Sequence, residues 1–345
     1  MSLSSPIKNR RSIQALLILA LVAFGAIIVG CGSSDDSGDG GDGGGSVALV
    51  AYSTPQQAYE DHLQPAFNET EEGSGVSFTN SFGASGDQSR AVEAGQKADY
   101  VNFALETDIT RLVDSGQVAA NWNKNKYKGI VTNSVVAIVT RPGNPLGIKS
   151  FEDIVKNDDI EVVTPNPFTS GGARWNIMAV YGAALNAGKS EKEALADVEN
   201  ILSKTPTQSE SARVALQAFL GGTGDVLLSY ENEAIAAQLA GEDVDYVVPE
   251  STILIEQPAA VIEGAGTAAT DFLNWNWTDE AQNIWQEQGY RSVNPQLLDK
   301  EKYPVPPGLF TIEEFGGWDA VVAEFFEDKT GSIFKIVQDL GYATE

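Results

Sequence analysis

The sequence is short of the residue types from which most enzyme sites are built. It has one cysteine, Cys31, and one histidine, His62, among 345 residues. A Ser-His-Asp or Cys-His catalytic site would therefore depend on one residue, and a His-rich zinc site is excluded. The stretch "GASGD" around Ser85 departs from the Gly-x-Ser-x-Gly pattern of a hydrolase nucleophile. These gaps make an enzyme the less favoured alternative, and no metal or cofactor is predicted.

Positive charge is also scarce. The chain has 22 Lys and Arg against 48 Asp and Glu, which gives a net charge of −26. This balance argues against nucleic acid as a partner, because phosphate binding rests on clustered Lys and Arg. It opposes a small anion at long range as well, so an anion site in this chain must be local. The length and the 42% hydrophobic content suffice for one large domain or two medium ones.

The N-terminal residues have the pattern of a targeting segment. A basic start precedes the apolar run "ALLILALVAFGAIIV" at 15–29, which is shorter than a usual membrane span. Gly30 then precedes Cys31, which is the pattern of lipoprotein processing. We therefore predict a signal peptide over 1–30 and a lipidated Cys31 that anchors the protein on the outer face of the cytoplasmic membrane, periplasmic or extracellular. An uncleaved membrane anchor is the alternative.

A tether is predicted over residues 31–46. After Cys31 it contains only Gly, Ser and Asp, in "GSSDDSGDGGDGGGS". Such a chain is flexible, with a reach of roughly 20 Å. The globular body is expected to start near Val47.

Strand-like and helix-like segments alternate through the body, which predicts an α/β fold with mainly parallel sheets. The strand candidates are 47–52, 75–81, 98–104, 134–140, 160–165, 225–230, 245–249 and 259–263. The helix candidates are 55–68, 86–95, 107–115, 150–156, 171–187, 190–203, 211–220, 231–240, 267–275, 278–288 and 315–328.

Four junctions between these segments share one chemistry, since each places a hydroxyl at a helix start. They are "YSTPQQAY", "FGASGDQSRAVEAG", "TPNPFTSGGARWN" and "TQSESARVALQAF". Taken singly, each hydroxyl is explained as an ordinary N-cap, and only the set of four suggests a ligand site. A helix N-terminus also offers free N–H groups and a partial positive charge. Several such ends at one point would hold an anion without Lys or Arg.

The same segments carry a family resemblance. "SFGASGDQSRAVEAGQKADYVNFA", "VTRPGNP", "TPNPFTSGGARWN", "GDVLLSYENEA" and "PESTILIEQPAAV" follow one another between roughly residues 47 and 293. In this order they resemble signature segments of the periplasmic sulfate-binding proteins of sulfate/thiosulfate ABC importers. "TPNP-x-TSGGARWN" is highly specific, and "GDVLLSYENEA" nearly so.

The resemblance implies a two-lobed fold of the type II periplasmic binding proteins, in which each lobe is a mainly parallel sheet flanked by helices. Two crossover segments would join the lobes, which close on the ligand. The implied boundaries are 47–132 plus 263–345 for lobe I, 142–251 for lobe II, and 133–141 and 252–262 for the crossovers.

The resemblance also implies a ligand site, matched residue by residue. The implied ligand contacts are Thr54, Ser85, Ser170, Gly171, Gly172, Ala212 and Tyr230. Two positions depart from the best-known members, which have Asp-Pro at Thr54-Pro55 and Trp at Tyr230. The family pattern holds its anion with neutral groups, so a role behind the ligand contacts, bracing the helix ends, is expected for Arg90, Arg174 and Arg213. Direct pairing of these arginines with the anion is the alternative.

The implied function is capture of sulfate or thiosulfate for the membrane permease of an ABC importer, by a protein expected to be a monomer. Sulfate accepts hydrogen bonds and has no proton to donate at neutral pH, so it suits a site of donors, whereas hydrogenphosphate also needs an acceptor. Molybdate or phosphate remains an alternative ligand. An adhesive lipoprotein that stacks carbohydrate on its six Trp and ten Tyr is a further alternative.

Overall fold

Residues 45–344 are the part of the chain that the computed structural model describes. The predicted signal peptide, Cys31 and nearly all of the predicted tether lie outside these residues. The strands are β1 (Ser46–Tyr52), β2 (Ser77–Gly83), β3 (Tyr100–Asn102), β4 (Ile130–Thr140), β5 (Val162–Pro165), β6 (Gln208–Ser209), β7 (Val226–Tyr230), β8 (Asp245–Val247), β9 (Ser251–Val261) and β10 (Gly308–Phe310).

Helices follow most of the strands. They are α1 (Gln56–Ala58), α2 (Gln64–Asn68), α3 (Ser85–Glu93), α4 (Glu106–Asp114), α5 (Phe151–Lys156), α6 (Gly171–Asn186), α7 (Glu191–Ser203), α8 (Ala212–Leu220), α9 (Glu231–Leu239), α10 (Thr267–Trp275), α11 (Asp279–Glu287), α12 (Gly317–Val321) and α13 (Ser332–Asp339). Between residues 45 and 344, no helix is long and apolar enough to cross a membrane.

The sheet joins two parallel halves through two long antiparallel strands. Its order is β2-β1-β3-β9-β4-β7-β5-β6, with β10 beside β9 and β8 beside β4. Strand β1 runs parallel to β2 and β3, and β5 runs parallel to β6 and β7. Strands β4 and β9 pair antiparallel, and their residues largely coincide with the two predicted crossover segments. The predicted α/β class is confirmed, with a mixed sheet rather than purely parallel lobes.

Each half of the sheet is buried on both faces, as apolar strands require. Along β1, Leu49 and Ala51 pack in one cluster with α10 and α11, while Val50 packs in another with α3 and α4. In the other half, Leu228 of β7 packs beneath α6, and Leu227 packs beneath α8. The alternation follows from the two-residue period of a strand. Helix α6 is apolar on nearly all sides because it is enclosed by this packing.

Most of the predicted elements are present, and the C-terminal region differs most. The helix predicted over 315–328 is present from Gly317 as α12 and continues as a π-helical turn over Val322–Phe326; Gly316, with positive φ, separates it from a short 3₁₀ helix, Ile312–Phe315. Helix α13 and the short strands β6 and β10 were not predicted. Residues from Phe310 to Val337 pack in the cluster beneath α6, in the second half of the molecule. The lobe boundaries stay a prediction, but this packing favours a lobe I that ends before β10.

Candidate functional site

The carboxyl ends of strands from both halves open onto one small cavity, called here the cleft cavity. The cavity is small: its volume is about 10 Å³, far below the roughly 300–1,000 Å³ of sites for drug-sized ligands. Its lining residues are all neutral: Tyr52, Ser53, Thr54, Gly83, Ala84, Ser85, Ala104, Ser170, Gly171, Gly172, Ser211, Ala212 and Tyr230. The cavity therefore suits a small guest that is held by dipoles and hydroxyls.

Sheet register explains why these residues meet. Tyr52 at the end of β1 lies opposite Gly83 at the end of β2, and Pro165 of β5 lies opposite Ser209 of β6. The loops that follow parallel strands thus start at one edge of each half-sheet, which is where α/β proteins place ligands. All seven predicted ligand residues line the cleft cavity. Their role in binding stays a prediction.

Gly172 shows how closely three of these residues surround one point. A Cβ atom added to Gly172 would lie 3.3 Å from Ala212 Cβ, 3.3 Å from Ser170 Oγ and 3.4 Å from Tyr230 Oη. A glycine at this position leaves the backbone open to the cavity. The four groups come from the starts of three helices, α6, α8 and α9.

Backbone N–H groups are the most numerous donors at this point. Helices α3, α6 and α8 begin at Ser85, Gly171 and Ala212, and the first N–H groups of a helix have no partner within it. Ser170, the N-cap of α6, makes no side-chain capping bond. By contrast, Ser211 caps α8 by accepting a hydrogen bond of 3.3 Å from the N–H of Val214. The Ser170 hydroxyl is therefore not committed to its helix.

Three hydroxyls of the cleft cavity have no hydrogen-bond partner within residues 45–344. They are Tyr52 Oη, Thr54 Oγ1 and Tyr230 Oη, all on buried side chains. Burial raises the pKa of Tyr230 well above its usual value, so its hydroxyl stays a donor at neutral pH. An unpaired buried hydroxyl costs about 1–3 kcal/mol, and native proteins keep few of them. Such hydroxyls are typical of a site that pairs them with a ligand.

Ser85 contributes differently from the expectation that its hydroxyl faces the ligand. Its Oγ donates a hydrogen bond of 2.6 Å to Asp108 Oδ2 and accepts one of 2.9 Å from the N–H of Ala104. Since its only hydroxyl hydrogen is used, the backbone N–H remains as its donor to the cavity. Burial raises the pKa of Asp108, while the Ser85 bond and the charge of Arg174 act in the opposite direction.

The arginines expected behind the ligand contacts do not line the cleft cavity. Arg90 pairs with Asp87 on the surface. The guanidinium of Arg174 donates from Nε to the carbonyl of Pro167 at 2.8 Å and lies 4.8 Å from the centre of the Phe326 ring. Burial lowers the pKa of Arg174 to about 10, so it keeps its charge at neutral pH.

Arg213 connects the two halves of the site. Its Nη2 donates to the carbonyl oxygen of Thr54 at 2.7 Å and to Glu233 Oε1 at 2.9 Å. The pKa of Glu233 lies above its usual value because burial raises it by more than the charge of Arg213 lowers it. The nearby Thr54 hydroxyl also acts to lower the pKa of Glu233, although the two groups do not reach regular hydrogen-bond geometry. Arg213 thus holds the Thr54 loop against α9.

Some of these residues were not singled out from the sequence. Acids such as Glu231 and Glu233 are ordinary at a helix start, yet both are buried and paired with arginines. Tyr52 and Ala104 line the cleft cavity without having been predicted. Tyr52 ends an apolar strand two residues before Thr54, so the period of a strand was a usable signal.

A larger hollow lies elsewhere and contains none of the predicted ligand residues. Its volume is about 320 Å³, and it lies between α5, α6 and the residues before β9. Apolar side chains such as Phe151 and Val180 form much of its wall. The chemistry of the converging helix starts points to the smaller cavity instead.

Known proteins resemble the chain over most of its length. A family model described as "Bacterial extracellular solute-binding protein" matches residues 47–291. The sulfate-binding protein of Synechococcus elongatus is 39% identical, across 96% of this chain and 97% of that protein. The thiosulfate-binding protein of Pseudomonas aeruginosa is 31% identical, across 83% and 90%. The solved sulfate-binding protein of Mycobacterium tuberculosis is 41% identical, with a TM-score of 0.79 over 82% of this chain and all of that one.

Proposed function

The chain belongs to the family of bacterial extracellular solute-binding proteins, and from this premise we propose that it captures sulfate in the cleft cavity for import by an ABC transporter. It is a binding protein and not an enzyme. One observation carries the choice of ligand: helix starts and free hydroxyls converge on a buried cavity whose lining is neutral.

The donors explain how an acidic protein holds a dianion. Helix starts at Ser85, Gly171 and Ala212 supply N–H groups, and each start carries a partial positive charge of about half a unit. Hydroxyls of Thr54 and Tyr230 add donors that have no other partner among the described residues. These groups stabilise the anion locally through hydrogen bonds and dipoles, so the net charge of −26 does not prevent binding at this point.

Selectivity between sulfate and phosphate follows from whether the bound anion carries a proton. Sulfate accepts at every oxygen, whereas hydrogenphosphate carries an O–H that needs an acceptor. No carboxylate is among the residues that line the cleft cavity. A protonated guest therefore leaves its O–H unpaired or facing a donor, at a cost of about 1–3 kcal/mol for each mismatch.

Titration calorimetry of the full chain tests the proposal. We expect a dissociation constant for sulfate of about 1 μM or below, and binding of phosphate at least about a hundredfold weaker. Molybdate in the same series reports the size limit of the cavity. Tight binding of phosphate, or no heat with any of the three anions, contradicts sulfate as the ligand.

Thiosulfate is the second candidate, because a thiosulfate-binding protein is among the relatives. It also only accepts hydrogen bonds, and its terminal sulfur is larger than oxygen and a weaker acceptor. The Tyr230 hydroxyl favours oxygen at its position. We expect sulfate to bind more tightly than thiosulfate, and a reversed order in competition titrations identifies thiosulfate as the main ligand.

We further propose that the protein works as a lipid-anchored monomer outside the cytoplasmic membrane and delivers its ligand to a membrane permease. Gly30-Cys31 after an apolar run supports the anchor, and 31–46 supplies the tether. Cys31→Ala tests the anchor by cell fractionation. The variant is expected to leave the membrane fraction, and full retention contradicts lipidation at Cys31.

A further inference from the structure

Glu231 and Arg291 form an ion pair directly beside the cleft cavity. We propose that this pair is a positioning device that fixes Tyr230, and with it the hydroxyl that faces the ligand. The inference rests on the proposed function, because it concerns the affinity of the same site. Neither Glu231 nor Arg291 lines the cavity, so the pair acts through Tyr230.

The ion pair has the geometry of a rigid clamp. Arg291 Nε donates to Glu231 Oε2 at 2.7 Å, and Nη2 donates to Glu231 Oε1 at 3.0 Å. The two side chains are only 4% and 2% exposed. Paired N–H donors on one carboxylate fix direction as well as distance, which a lysine does not do.

Arg291 is itself held from two sides. Its backbone exchanges two hydrogen bonds with Asn133 of β4, of 2.8 and 2.9 Å. Its Nη1 donates to the carbonyl oxygens of Pro304 at 3.0 Å and Tyr303 at 3.4 Å. The guanidinium therefore has a fixed place relative to the crossover strand.

Glu231 directly follows Tyr230 in the chain, so fixing the Glu231 side chain also restrains the backbone of Tyr230. Tyr230 is the N-cap of α9, and Glu231 is the first residue of that helix. Gly289, close to Arg291 in the chain, approaches the same helix turn. A Cβ atom on Gly289 would lie 3.0 Å from Ile235 Cβ and 3.2 Å from Asn232 Cα. Residues 289–291 thus hold the first turn of α9 by packing and by charge.

Among the described residues, the Tyr230 hydroxyl has no anchor of its own, so its position follows from where the backbone between β7 and α9 places the ring. Pairing with Val136 of β4 holds that backbone on the β7 side, and the ion pair holds it on the α9 side. Within residues 45–344, Tyr230 Oη has no hydrogen-bond partner. Its ring is packed against Tyr52, at 6.5 Å between ring centres. A shift of the α9 start therefore moves the hydroxyl relative to the N–H groups of Gly171 and Gly172.

A double-mutant cycle on the full chain tests the pair. Arg291→Lys keeps the charge and removes the paired bonds, and Tyr230→Phe removes the hydroxyl. Each single variant is expected to weaken sulfate binding about tenfold, and the double variant is expected to bind no more weakly than the worse single variant. Sulfate affinity is measured by calorimetry and stability by thermal unfolding without ligand.

Arg141→Lys is the matched control. Arg141 also donates to backbone carbonyls, at Phe219 and Thr223, but lies away from the cleft cavity. It is expected to lower the Tm and leave sulfate affinity unchanged, with purely additive behaviour alongside Tyr230→Phe. If Arg291→Lys fails to fold, Glu231→Gln replaces it in the cycle, with the same expected coupling.

The outcomes separate the two claims. Additive losses of affinity for Arg291→Lys and Tyr230→Phe, with wild type binding sulfate, overturn the positioning role and leave the proposed function standing. Unchanged affinity in Arg291→Lys overturns it as well. A wild-type protein that binds no sulfate overturns the proposed function first, and this inference with it.

Discussion

The indole Nε1 of Trp175 donates a hydrogen bond of 2.8 Å to the carbonyl oxygen of Ala104. Trp175 lies in α6, and Ala104 follows β3 in the other half of the molecule. A second bond of 3.3 Å runs from the N–H of Gly86 to the carbonyl of Thr169 across the same cleft. The two halves therefore touch directly around the cleft cavity, and ligand affinity should depend on these contacts.

Trp175→Phe is expected to weaken sulfate binding about five- to tenfold, because it removes the bond to Ala104 at the cleft. Trp285→Phe is the matched control. Trp285 is equally buried and donates to Asn276 Oδ1 at 3.0 Å, but it lies in the first half of the molecule away from the cleft. Both variants should lower the Tm, and only Trp175→Phe should alter the titration with sulfate. Equal affinities in the two variants would refute a role for the cleft bond.

Ser170→Ala is expected to reduce sulfate affinity about tenfold with little change in Tm, because Ser170 makes no capping bond. Ser190 offers the opposite case. It is the N-cap of α7 and forms a complete capping box with Glu193. Ser190→Ala should cost about 1 kcal/mol of stability and leave binding unchanged. Calorimetry measures the affinity and thermal unfolding measures the Tm of both variants. A lower Tm with unchanged sulfate affinity in Ser170→Ala would show that Ser170 only caps its helix.

Gly171→Ala is expected to reduce sulfate binding at least about tenfold. A Cβ atom at Gly171 would lie 2.8 Å from Ala104 Cβ and 2.8 Å from Leu105 Cγ, so the two halves of the molecule would be held apart. Relief of this clash requires the packed segment of Ala104 and Leu105 to move, which outweighs the better helix propensity of alanine, so the Tm should fall as well. Gly266→Ala is the control, since a Cβ atom there meets nothing within 4 Å. Normal sulfate affinity in Gly171→Ala would show that binding does not depend on the close contact of Gly171 with Ala104 and Leu105.

The sequence predicted this site better than it predicted the contacts within it. Hydroxyls at helix starts pointed to the junctions around Thr54 and Ser170 because that signal is local, whereas Ala212 was named only through the family resemblance; all three line the cleft cavity. The partner of the Ser85 hydroxyl could not be found in this way. Asp108 lies 23 residues further on, and only the packing of α3 against α4 brings the two together.

The ion pair of Glu231 and Arg291 was hidden for the same reason. Glu231 and Arg291 are 60 positions apart in the chain. An isolated β-bridge between Arg291 and Asn133 of β4 brings Arg291 to the start of α9. An acid after a strand is also expected at any helix start, where the helix dipole favours it. Local pattern cannot distinguish such an exposed acid from a buried one. In the C-terminal region the predicted helix over 315–328 is present as α12 and the π-helical turn after it, whereas α13 was not predicted.

The partly buried carboxyl of Glu256 is expected to make the free energy of unfolding depend on pH. Burial raises the pKa of this carboxyl; Lys128 acts against the shift, while Glu313 and Glu106 add to it. The folded protein therefore binds the proton more tightly than the unfolded chain does. It loses stability as the pH rises from the ordinary glutamate value of 4.5 through the raised folded value. Glu256→Gln carries no such penalty, so it should raise the Tm by a few degrees at pH 7.5, with the gain shrinking below pH 4.5.

Glu152→Gln supplies a control of opposite sign. Glu152 is exposed, and its hydrogen bond and ion pair with Lys156 lower its pKa. Its ionised form is therefore the favoured one in the folded protein, so Glu152→Gln should give no gain in Tm at pH 7.5. Thermal unfolding of both variants between pH 4 and 8 measures the difference. If Glu256→Gln is less stable than wild type at pH 7.5, the carboxylate makes a favourable contact that outweighs the cost of its burial.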